Sequence, residues 1–244
     1  MKAMVLCAGY GTRLGGLTRE VPKPMLDVGG TPLLTHILGQ LARHGFTEVG
    51  INLHFLPERI RGTFGDGAGQ GLSITYAEEP RLLGTAGGVK NMAGFLKDGG
   101  PFLVHYGDIV TDQDLTAMVR YHRESGALAT LLLHQRAGSN SVVTLAVDGR
   151  VTAFWERPRE TPAGVSGQPW VFSGLCMCEP EFLDEIPAGM VCDLPRDVFP
   201  RLAREGRLAG FPLAGYRCAV DSPERLGEVR RALSEGLCQS TWRS

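Results

Sequence analysis

The first residues of the chain constrain its fold more than any other part. A wholly apolar run at residues 3–7 leads directly into a turn with glycines at positions 9 and 11. A short, continuous apolar run is typical of a strand inside a parallel sheet that is covered on both faces. In α/β proteins, nucleotides bind where such a strand ends in a glycine-rich turn. The sequence therefore predicts an α/β fold with a phosphate-binding turn at the carboxyl edge of its sheet.

Strand-like and helix-like runs alternate after this turn. Strands are predicted at residues 48–53, 72–77, 101–106 and 127–134, and helices at 32–44, 57–64, 86–97 and 113–125. In the helix at 32–44, apolar residues recur at the three- and four-residue spacing of one helix face. This alternation indicates a mainly parallel, doubly wound (Rossmann-like) sheet.

After about residue 136 the pattern becomes richer in strands. A hairpin is predicted around Asp148-Gly149, followed by strands at 170–178, 208–213 and 216–220 and helices at 180–186, 195–205 and 223–236. The polar tail after Leu237 is expected to be frayed. Because no linker or repeat interrupts the chain, we predict a single domain over residues 1–244. It has one part at 1–136 and a second, β-rich part at 137–236.

Composition excludes several classes of function. The net charge is −1 and no basic stripe exists, which argues against a nucleic-acid partner. No apolar run approaches the ~20 residues of a membrane helix, and no signal-peptide pattern follows Met1. We therefore expect a soluble, cytoplasmic protein. None of the six cysteines forms a C-x-x-C pair; Cys176 and Cys178, which share a strand face, are expected to be free thiols, with a metal pair as the alternative.

The glycine turn does not match the common nucleotide fingerprints. A dinucleotide fingerprint requires glycine where this chain has Leu14, and no G-x-x-x-x-G-K-[ST] occurs. Phosphate affinity would come from glycine backbone and two nearby cations, Arg13 and Lys23. Pro22 and Pro24 fix the backbone around Lys23. The alternative is an ordinary surface lysine in a turn.

Five motifs in order resemble those of one family. The chain reads G-Y-G-T-R-L at 9–14, V-P-K-P-M at 21–25, L-G-T-A-G at 83–87, G-D at 107–108 and F-W-E-R-P at 154–158. These motifs resemble the signature of the sugar-1-phosphate nucleotidylyltransferases, and the resemblance covers roughly residues 2–235. The most similar members are short forms without a C-terminal β-helix, of the mannose-, heptose- and glucose-1-phosphate types.

The resemblance implies a reaction and roles for the residues. A sugar phosphate oxygen attacks the α-phosphorus of a nucleoside triphosphate, and pyrophosphate leaves. Arg13 would act on the leaving phosphates and Lys23 on the α-phosphate side, while Asp108 would hold Mg²⁺. The alternative for Asp108 is a helix N-cap. The implied nucleotide-binding residues are Leu6, Ala8, Gly9, Gly11, Thr12, Glu79, Gly84 and Thr85. Relatives are often dimers, so a homodimer stays open.

The second metal carboxylate departs from the family pattern. Many members have D-I-G-T-P-E where this chain has A-V-D-S-P-E at 219–224. Ala219 therefore stands at the usual aspartate. Asp221 lies two positions later, on the same face if the strand continues, and is the predicted second ligand. The alternative is an N-cap for the helix at 223–236.

The same resemblance implies that the part at 1–136 binds the nucleotide and the part at 137–236 binds the sugar phosphate. Glu156 would accept hydrogen bonds from sugar hydroxyls, and Arg157, in place of the usual lysine, would grip the phosphate. An exposed surface pair is the alternative. The remaining predicted residues are Gly107, Asn140 and Gly174. Asn140-Ser141 replaces a common Tyr-Gly, which leaves the sugar open.

Glu79 carries the prediction of the nucleobase. A carboxylate only accepts hydrogen bonds, and guanine offers two adjacent donors on its Watson–Crick edge. The L-G-T-A-G loop also resembles that of guanylyltransferase members. GTP is therefore the expected donor, with CTP second because Asp221-Ser222 resembles the D-T pair of the glucose-1-phosphate cytidylyltransferases. The alternative is that Glu78 or Glu79 points to solvent. Two other functions stay open. One is a regulatory or scaffold paralogue with weak catalysis, and the other is nucleotidyl transfer onto a cyclitol or choline phosphate.

Overall fold

The computed structural model describes residues 1–160, 162, 165 and 167–238. Its strands are β1 (Lys2–Leu6), β2 (Asp27–Val28), β3 (Thr31–Pro32), β4 (Glu48–Leu53), β5 (Ser73–Glu78), β6 (Phe102–Tyr106), β7 (Ile109–Thr111), β8 (Ala129–Gln135), β9 (Ser141–Leu145), β10 (Val151–Glu156), β11 (Trp170–Cys178), β12 (Leu208–Pro212) and β13 (Arg217–Ala219). Its α-helices are α1 (Leu33–Arg43), α2 (Pro57–Phe64), α3 (Gly84–Asn91), α4 (Ala93–Leu96), α5 (Leu115–Ser125), α6 (Phe199–Arg204) and α7 (Pro223–Ser234).

These residues form two compact units. The first contains Met1–Leu82, His105–Thr116 and the segment from Ala214 onward, and the second contains Leu83–Val104 and Ala117–Leu213. The chain thus passes between the units four times, and β6 continues from the second unit into the first. The predicted parts at 1–136 and 137–236 do not coincide with these boundaries, and their functional assignment stays a prediction.

The first unit is built on a parallel sheet. β1 pairs with β4 and β4 with β5, both in parallel register, with Leu6 opposite Asn52. Ala3, Met4 and Val5 are completely buried, as a continuous apolar strand requires. α1 follows Pro32 and ends before Gly45, whose φ of +78° suits a helix end. Its apolar face is buried through Leu33, Leu34, Ile37, Leu38 and Leu41.

A two-stranded ribbon completes the first unit. β7 and β13 pair antiparallel, with Ala219 opposite Ile109. Val110 and Cys218 from this ribbon are buried in one cluster with Val220 and the buried side chains of α7. The ribbon and the last helix therefore share a core with residues near the start of the chain, including Leu14 and Leu26.

The second unit is β-rich. Its strands lie in the order β10-β9-β11-β8-β12, antiparallel except for β12, which runs parallel to β8. Phe199 of α6 packs edge-on against Phe154 and Phe172, at centroid distances of 5.4 and 5.2 Å. Cys176 and Cys178 do share a face: their sulfurs lie 3.7 Å apart, as buried free thiols.

The structure confirms the predicted α/β class and shifts several boundaries. The predicted helix at 86–97 is divided into α3 and α4. The helix predicted at 195–205 begins as one turn of π-helix, Leu194–Val198, and the one at 180–186 is a 3-10 helix, Pro180–Glu185. Residues 239–244, within the predicted frayed tail, lie outside the described residues. Within the part that the structure describes, no helix is long and apolar enough to cross a membrane.

Candidate active site

The glycine turn after β1 is shaped by Gly11. Its φ is +67°, in the left-handed region, and a Cβ there would lie 3.1 Å from both the Lys23 Cβ and the Thr18 Cγ2. The Thr18 hydroxyl donates to the Gly11 carbonyl oxygen at 3.0 Å. Glycine is therefore needed at position 11 for backbone conformation and for contact with Lys23. This contact brings the two N-terminal motifs together.

The other predicted residues of the turn differ in exposure. Ala8 is buried, whereas Gly9 and Thr12 are exposed. A Cβ built at Gly9 meets nothing within 4 Å, so protein packing does not require glycine at that position. The Leu6 carbonyl oxygen accepts a hydrogen bond from the Gly107 N–H at 3.0 Å. The end of β1, directly before the turn, thus contacts the G-D motif.

Lys23 is not a solvated surface lysine. It begins a short 3-10 helix, Lys23–Met25, after Pro22, and the Met25 N–H donates to the Pro22 carbonyl oxygen at 2.7 Å. Only 12% of the Lys23 side chain is exposed, and its Nζ lies 2.6 Å from Asp108 Oδ2. The alternative of an ordinary surface lysine in a turn is therefore wrong, because this side chain packs against Gly11 and pairs with a carboxylate.

Asp108 stands between two strands rather than before a helix. β6 ends at Tyr106 and β7 begins at Ile109, so the alternative role as a helix N-cap is wrong. A Cβ at Gly107 would lie 2.6 Å from the Leu6 carbonyl oxygen and 2.8 Å from the Cys7 sulfur. Burial, and secondarily the Asp108 charge, raise the pKa of the Cys7 thiol far above its ordinary value. Cys7 is thus a neutral packing residue beside this carboxylate.

Asp221 reaches the end of the same ribbon by a turn. The Val220 N–H donates to the Asp108 carbonyl oxygen at 2.8 Å, and the Asp221 N–H donates to the Ala219 carbonyl oxygen at 3.0 Å. The second bond closes a three-residue turn centred on Val220. Because β13 ends at Ala219, the expected strand alternation between Ala219 and Asp221 is wrong. The helix cap is Ser222, which accepts from the Arg225 N–H, so Asp221 is not the N-cap.

Arg13 and Asp221 form a second, more open pair. Arg13 Nη1 lies 3.4 Å from Asp221 Oδ2, and the two side chains are 65% and 33% exposed. The Asp108 side chain is 26% exposed. Within residues 1–160, 162, 165 and 167–238, no cluster of three or more His, Cys, Asp or Glu side chains could hold a metal. The site instead offers two accessible carboxylates, each beside a cation.

Glu79 is buried rather than solvated. It is 3% exposed, and its Oε1 accepts a hydrogen bond from Asn52 Nδ2 at 2.7 Å. The His54 Nδ1 lies 2.6 Å from the Glu79 carbonyl oxygen, and Tyr10 Oη lies 2.7 Å from His54 Nε2. Glu78, in contrast, pairs with Arg61 at the surface. The solvent-facing alternative therefore holds for Glu78 and is wrong for Glu79.

The L-G-T-A-G loop is fixed by contacts inside the second unit. Gly84 has φ +75°, and a Cβ there would lie 2.5 Å from the Cys192 carbonyl oxygen. Both the N–H and the hydroxyl of Thr85 donate to Asp193 Oδ1, at 3.1 and 3.0 Å. The Leu194 N–H donates to the Thr85 hydroxyl at 2.8 Å. These contacts hold the loop in shape, and they give Thr85 a structural task that the motif alone did not indicate.

Three of the four predicted sugar-phosphate residues of the second unit lie close together. The Arg157 N–H donates to the Asn140 carbonyl oxygen at 2.6 Å, and Arg157 has φ +46°. Glu156 Oε1 lies 3.3 Å from Arg157 Nε, with Arg157 mostly exposed. Burial raises the pKa of the Glu156 carboxyl, while the Arg157 charge opposes that shift. Gly174, with φ +90°, lies in the stretch between Phe172 and Cys176 where β11 shifts register against β8.

Sequence reasoning missed Asn52, His54 and Asp193. All three act through hydrogen bonds to residues distant in the chain. The signal that could have found the first two is a pair of polar residues, N-x-H, at the carboxyl end of an apolar strand. Asp193 follows an irregular stretch, and no local pattern points to Thr85.

Comparisons with known proteins agree along nearly the whole chain. The family model described as "Nucleotidyl transferase" matches residues 2–216. The chain is 36% identical to UTP–glucose-1-phosphate uridylyltransferase of Synechocystis sp., over 84% of this chain and 56% of that protein. It is 34% identical to mannose-1-phosphate guanylyltransferase of Mycobacterium tuberculosis, over 98% of this chain and 66% of that protein. This chain thus spans less than two thirds of either relative.

One relative of similar length is N-acetylmuramate alpha-1-phosphate uridylyltransferase of Neisseria meningitidis. The two chains are 36% identical over 94% of this chain and 97% of that protein. Among solved structures, a Bacillus anthracis protein superimposes with TM-score 0.83, covering 95% of this chain and 94% of its own. HddC from Yersinia pseudotuberculosis gives 0.79, covering 95% and 99%. Both are 19% identical, so they show a shared fold.

Proposed function

Because the chain belongs to the nucleotidyl transferase family, among its sugar-1-phosphate nucleotidyltransferases, we propose that it transfers a nucleotidyl group from a nucleoside triphosphate to a sugar 1-phosphate. One observation carries the proposal. Lys23 Nζ and Asp108 Oδ2, 85 positions apart in the chain, lie 2.6 Å apart, and Lys23 packs against Gly11 of the glycine turn. The glycine turn, the P-K-P motif and the G-D motif, which the proposed chemistry needs at one place, therefore lie together.

The proposed chemistry needs little covalent work from the protein. A sugar phosphate oxygen forms a bond to the α-phosphorus while the bond to the pyrophosphate oxygen breaks. Positioning and charge neutralisation supply most of the rate in phosphoryl-type transfers. Lys23 would neutralise the α-phosphate and Arg13 the leaving pyrophosphate. The nucleotide contacts assigned to Leu6, Ala8, Gly9, Gly11, Thr12, Gly84 and Thr85 belong to this proposal.

Mg²⁺ fits the two carboxylates of the first unit. Asp108 and Asp221 offer hard, partly exposed oxygen atoms, the donor type that Mg²⁺ prefers, and Mg²⁺ sites commonly use one or two carboxylates with phosphates and waters. Bound there, the ion would polarise phosphate oxygens. Lys23 and Arg13 hold the same carboxylates through ion pairs, so each carboxylate is oriented by a cation.

The sugar-phosphate half of the proposal rests on the second unit. Glu156 ends β10 and Arg157 follows it directly; Glu156 would accept from sugar hydroxyls and Arg157 would donate to the phosphate. Asn140 directly precedes β9, the partner of β10, and Gly174 lies within β11. Gly107 completes the proposed set. The close bond between the Arg157 N–H and the Asn140 carbonyl oxygen supports a joint role.

We propose GTP as the donor, with CTP second. The support is the L-G-T-A-G loop and the 34% identity to a guanylyltransferase across 98% of this chain. The guanine argument from Glu79 loses strength, because Asn52 already engages one oxygen of this buried carboxylate. UTP is a further candidate, since the relative of similar length is a uridylyltransferase. We also propose a single catalytic domain that works in the cytoplasm, with a homodimer as its candidate assembly.

A matrix of nucleotides against acceptor phosphates tests the proposal, with pyrophosphate release as the readout. GTP, CTP, UTP, dTTP and ATP are crossed with mannose, glucose, heptose and N-acetylmuramate 1-phosphates, and with choline and cyclitol phosphates. Turnover with a sugar 1-phosphate supports the proposal. Turnover with choline or cyclitol phosphate alone favours the non-sugar alternative, and no turnover with any pair favours a regulatory paralogue.

Gly9→Ala gives a matched structural test of the glycine turn. A methyl group at position 9 meets no protein atom within 4 Å, so folding should be unaffected. A close-lying phosphate would meet it, so turnover should fall by ~10-fold or more, as small misplacements of bound groups do. Gly62→Ala in α2, also in open space, is the control. Equal turnover in the two variants would show that no ligand lies against Gly9.

A further inference from the structure

Three strand ends of the first unit are joined by one row of buried polar groups. The Cys7 N–H donates to Asn52 Oδ1 at 2.8 Å, and Asn52 Nδ2 donates to Glu79 Oε1 at 2.7 Å. Asn52 and Glu79 are each 3% exposed. The orientation of the Asn52 amide is fixed, because a backbone N–H can only donate and a carboxylate can only accept. Buried groups of this kind are costly to leave unpaired.

The row begins where the parallel ladder ends. Leu6 is opposite Asn52 in the pairing of β1 with β4, and Leu6 is the last residue of β1. The Asn52 side chain extends this ladder by one hydrogen bond, to Cys7, after the main chain has left the sheet. Glu79 follows β5 directly, and its N–H donates to the Leu53 carbonyl oxygen at 2.7 Å. The first residue of the glycine turn is thereby held from two neighbouring strands.

A second contact holds the other side of the turn. The Glu79 carbonyl oxygen only accepts, so His54 Nδ1 carries the proton, and in the neutral ring Nε2 accepts from the Tyr10 hydroxyl. The Tyr10 ring also packs edge-on against His54 at 5.2 Å and tilted against Phe55 at 5.6 Å. The Glu79 side chain therefore holds Cys7 by way of Asn52, and the Glu79 carbonyl oxygen holds Tyr10 by way of His54.

We propose that Glu79 and Asn52 are positioning residues that hold residues 7–10 of the glycine turn in the shape that receives the triphosphate, so that Glu79 acts on turnover rather than on the choice of base. This inference rests on the proposed function. Its physical basis is preorganisation: backbone N–H groups stabilise developing charge only when they are already aimed at it.

Reversing the direction of the hydrogen bond between positions 52 and 79 tests the inference. Asn52→Asp puts two carboxylates face to face and should break the row. Glu79→Gln keeps an acceptor for Asn52 and should be mild. In the double variant the carboxylate introduced at position 52 still accepts from the Cys7 N–H and now also accepts from the amide introduced at position 79. The row is thus restored, with the direction of its second hydrogen bond reversed. For each protein we would measure kcat and KM with GTP, CTP and UTP, amide exchange of the peptide that contains Cys7, and thermal unfolding.

The expected result is a rescue. Asn52→Asp should lower kcat by ~30-fold or more and speed the exchange, as loss of a positioned group does. The double variant should recover kcat to within ~5-fold of wild type with slow exchange, and the GTP-to-UTP preference should be equal in all proteins. A double variant as impaired as Asn52→Asp overturns the inference. So does a change of ~10-fold or more in donor preference in Glu79→Gln, which is the signature of a base contact.

Failure of the proposed function is distinguishable from failure of this inference. A wild-type protein that releases no pyrophosphate with any substrate pair refutes the proposed function, and the exchange series alone then decides whether Asn52 and Glu79 hold the turn. Should Asn52→Asp not fold, Tyr10→Phe takes its place, because it removes only the hydroxyl of a half-exposed residue. Faster exchange and a lower kcat in that variant support the inference, and wild-type values of both overturn it.

Discussion

Two cation–carboxylate pairs of the candidate site, Lys23–Asp108 and Arg13–Asp221, differ in geometry and in exposure. Lys23 and Asp108 lie 2.6 Å apart; the Lys23 side chain is largely enclosed, and the Asp108 side chain is partly exposed. Arg13 and Asp221 lie 3.4 Å apart, and Arg13 is mostly exposed. Prolines on both sides and contact with Gly11 hold Lys23 in place, whereas Arg13 extends from an exposed 3-10 helix. Packing thus fixes the geometry of the Lys23–Asp108 pair, whereas the geometry of the more exposed Arg13–Asp221 pair can adjust.

This difference has an energetic meaning. Exposed pairs contribute little to stability, since water and salt screen them and side-chain entropy opposes them. Removing one partner of an enclosed pair lowers the stability of the protein more, because the other partner stays desolvated. We therefore expect the Lys23–Asp108 pair to control both turnover and part of the stability, and the Arg13–Asp221 pair to control turnover alone.

The largest effect is expected from Asp108→Asn. The variant loses the charge proposed to hold Mg²⁺ and the partner of Lys23, so turnover should fall by ~10³-fold or more. Asp114→Asn in the same segment is the control, because that side chain is mostly exposed. Steady-state kinetics at saturating Mg²⁺ would measure the loss. Activity within a few-fold of wild type would refute the metal assignment of Asp108.

Lys23→Ala should come next. Turnover should fall by ~10²- to 10³-fold, the usual effect of removing one group that stabilises transition-state charge. Asp108 would lose its hydrogen-bonded partner, so the free energy of unfolding should also fall by about 1–3 kcal/mol. Lys97→Ala, at an exposed position, is the control. A large drop in melting temperature with wild-type specific activity would make Lys23 a structural residue only.

Arg13→Ala should separate turnover from stability. The melting temperature should stay near wild type, because exposed substitutions shift stability by about 0.5 kcal/mol or less. Turnover should fall by ~10²-fold if Arg13 neutralises the leaving pyrophosphate. Kinetics and thermal unfolding on the same preparation would measure both. A stability loss as large as that of Lys23→Ala would erase the distinction between the two pairs.

The smallest effect is expected at Asp221, in a comparison with its neighbour. Asp221→Asn should reduce turnover by ~10-fold and leave the melting temperature unchanged, because Ser222 caps α7. Ser222→Ala should do the reverse, with wild-type turnover and a loss of about 1 kcal/mol of stability. Mg²⁺ titrations of kcat would show whether Asp221→Asn raises the Mg²⁺ requirement. Wild-type kinetics in Asp221→Asn would leave Asp108 as the metal's one proposed carboxylate.

Local patterns predicted much of the fold. β4, β11 and α2 lie where the sequence indicated them, because an apolar strand and a proline at a helix start are local signals. The break of the predicted helix at Met92 and the π-helical turn at Leu194–Val198 were missed. Tertiary packing decides such irregularities, and no pattern of a few residues encodes them.

The candidate site was predicted in part for the same reason. Lys23 and Asp108 stand in short motifs, so their residue types identified them, but their contact depends on chain segments 85 positions apart. The Val220 turn was missed because a single backbone bond ends the strand early, at Ala219. Asn52 was missed because its role depends on the hydrogen-bond partners of its amide oxygen and nitrogen. These partners, Cys7 and Glu79, are distant in the chain.

The first unit is made from three separate chain segments, and this has a consequence for its synthesis. A ribosome releases the glycine turn, Lys23 and then Asp108 well before β13, which pairs with β7 next to Asp108. A nascent chain that has reached residue 200 therefore contains Lys23 and Asp108 but not Asp221. A chain cut short there would lack the partner of β7 and leave that strand's edge unpaired. Arg13 must wait for a residue 208 positions later in the chain before its ion pair can form.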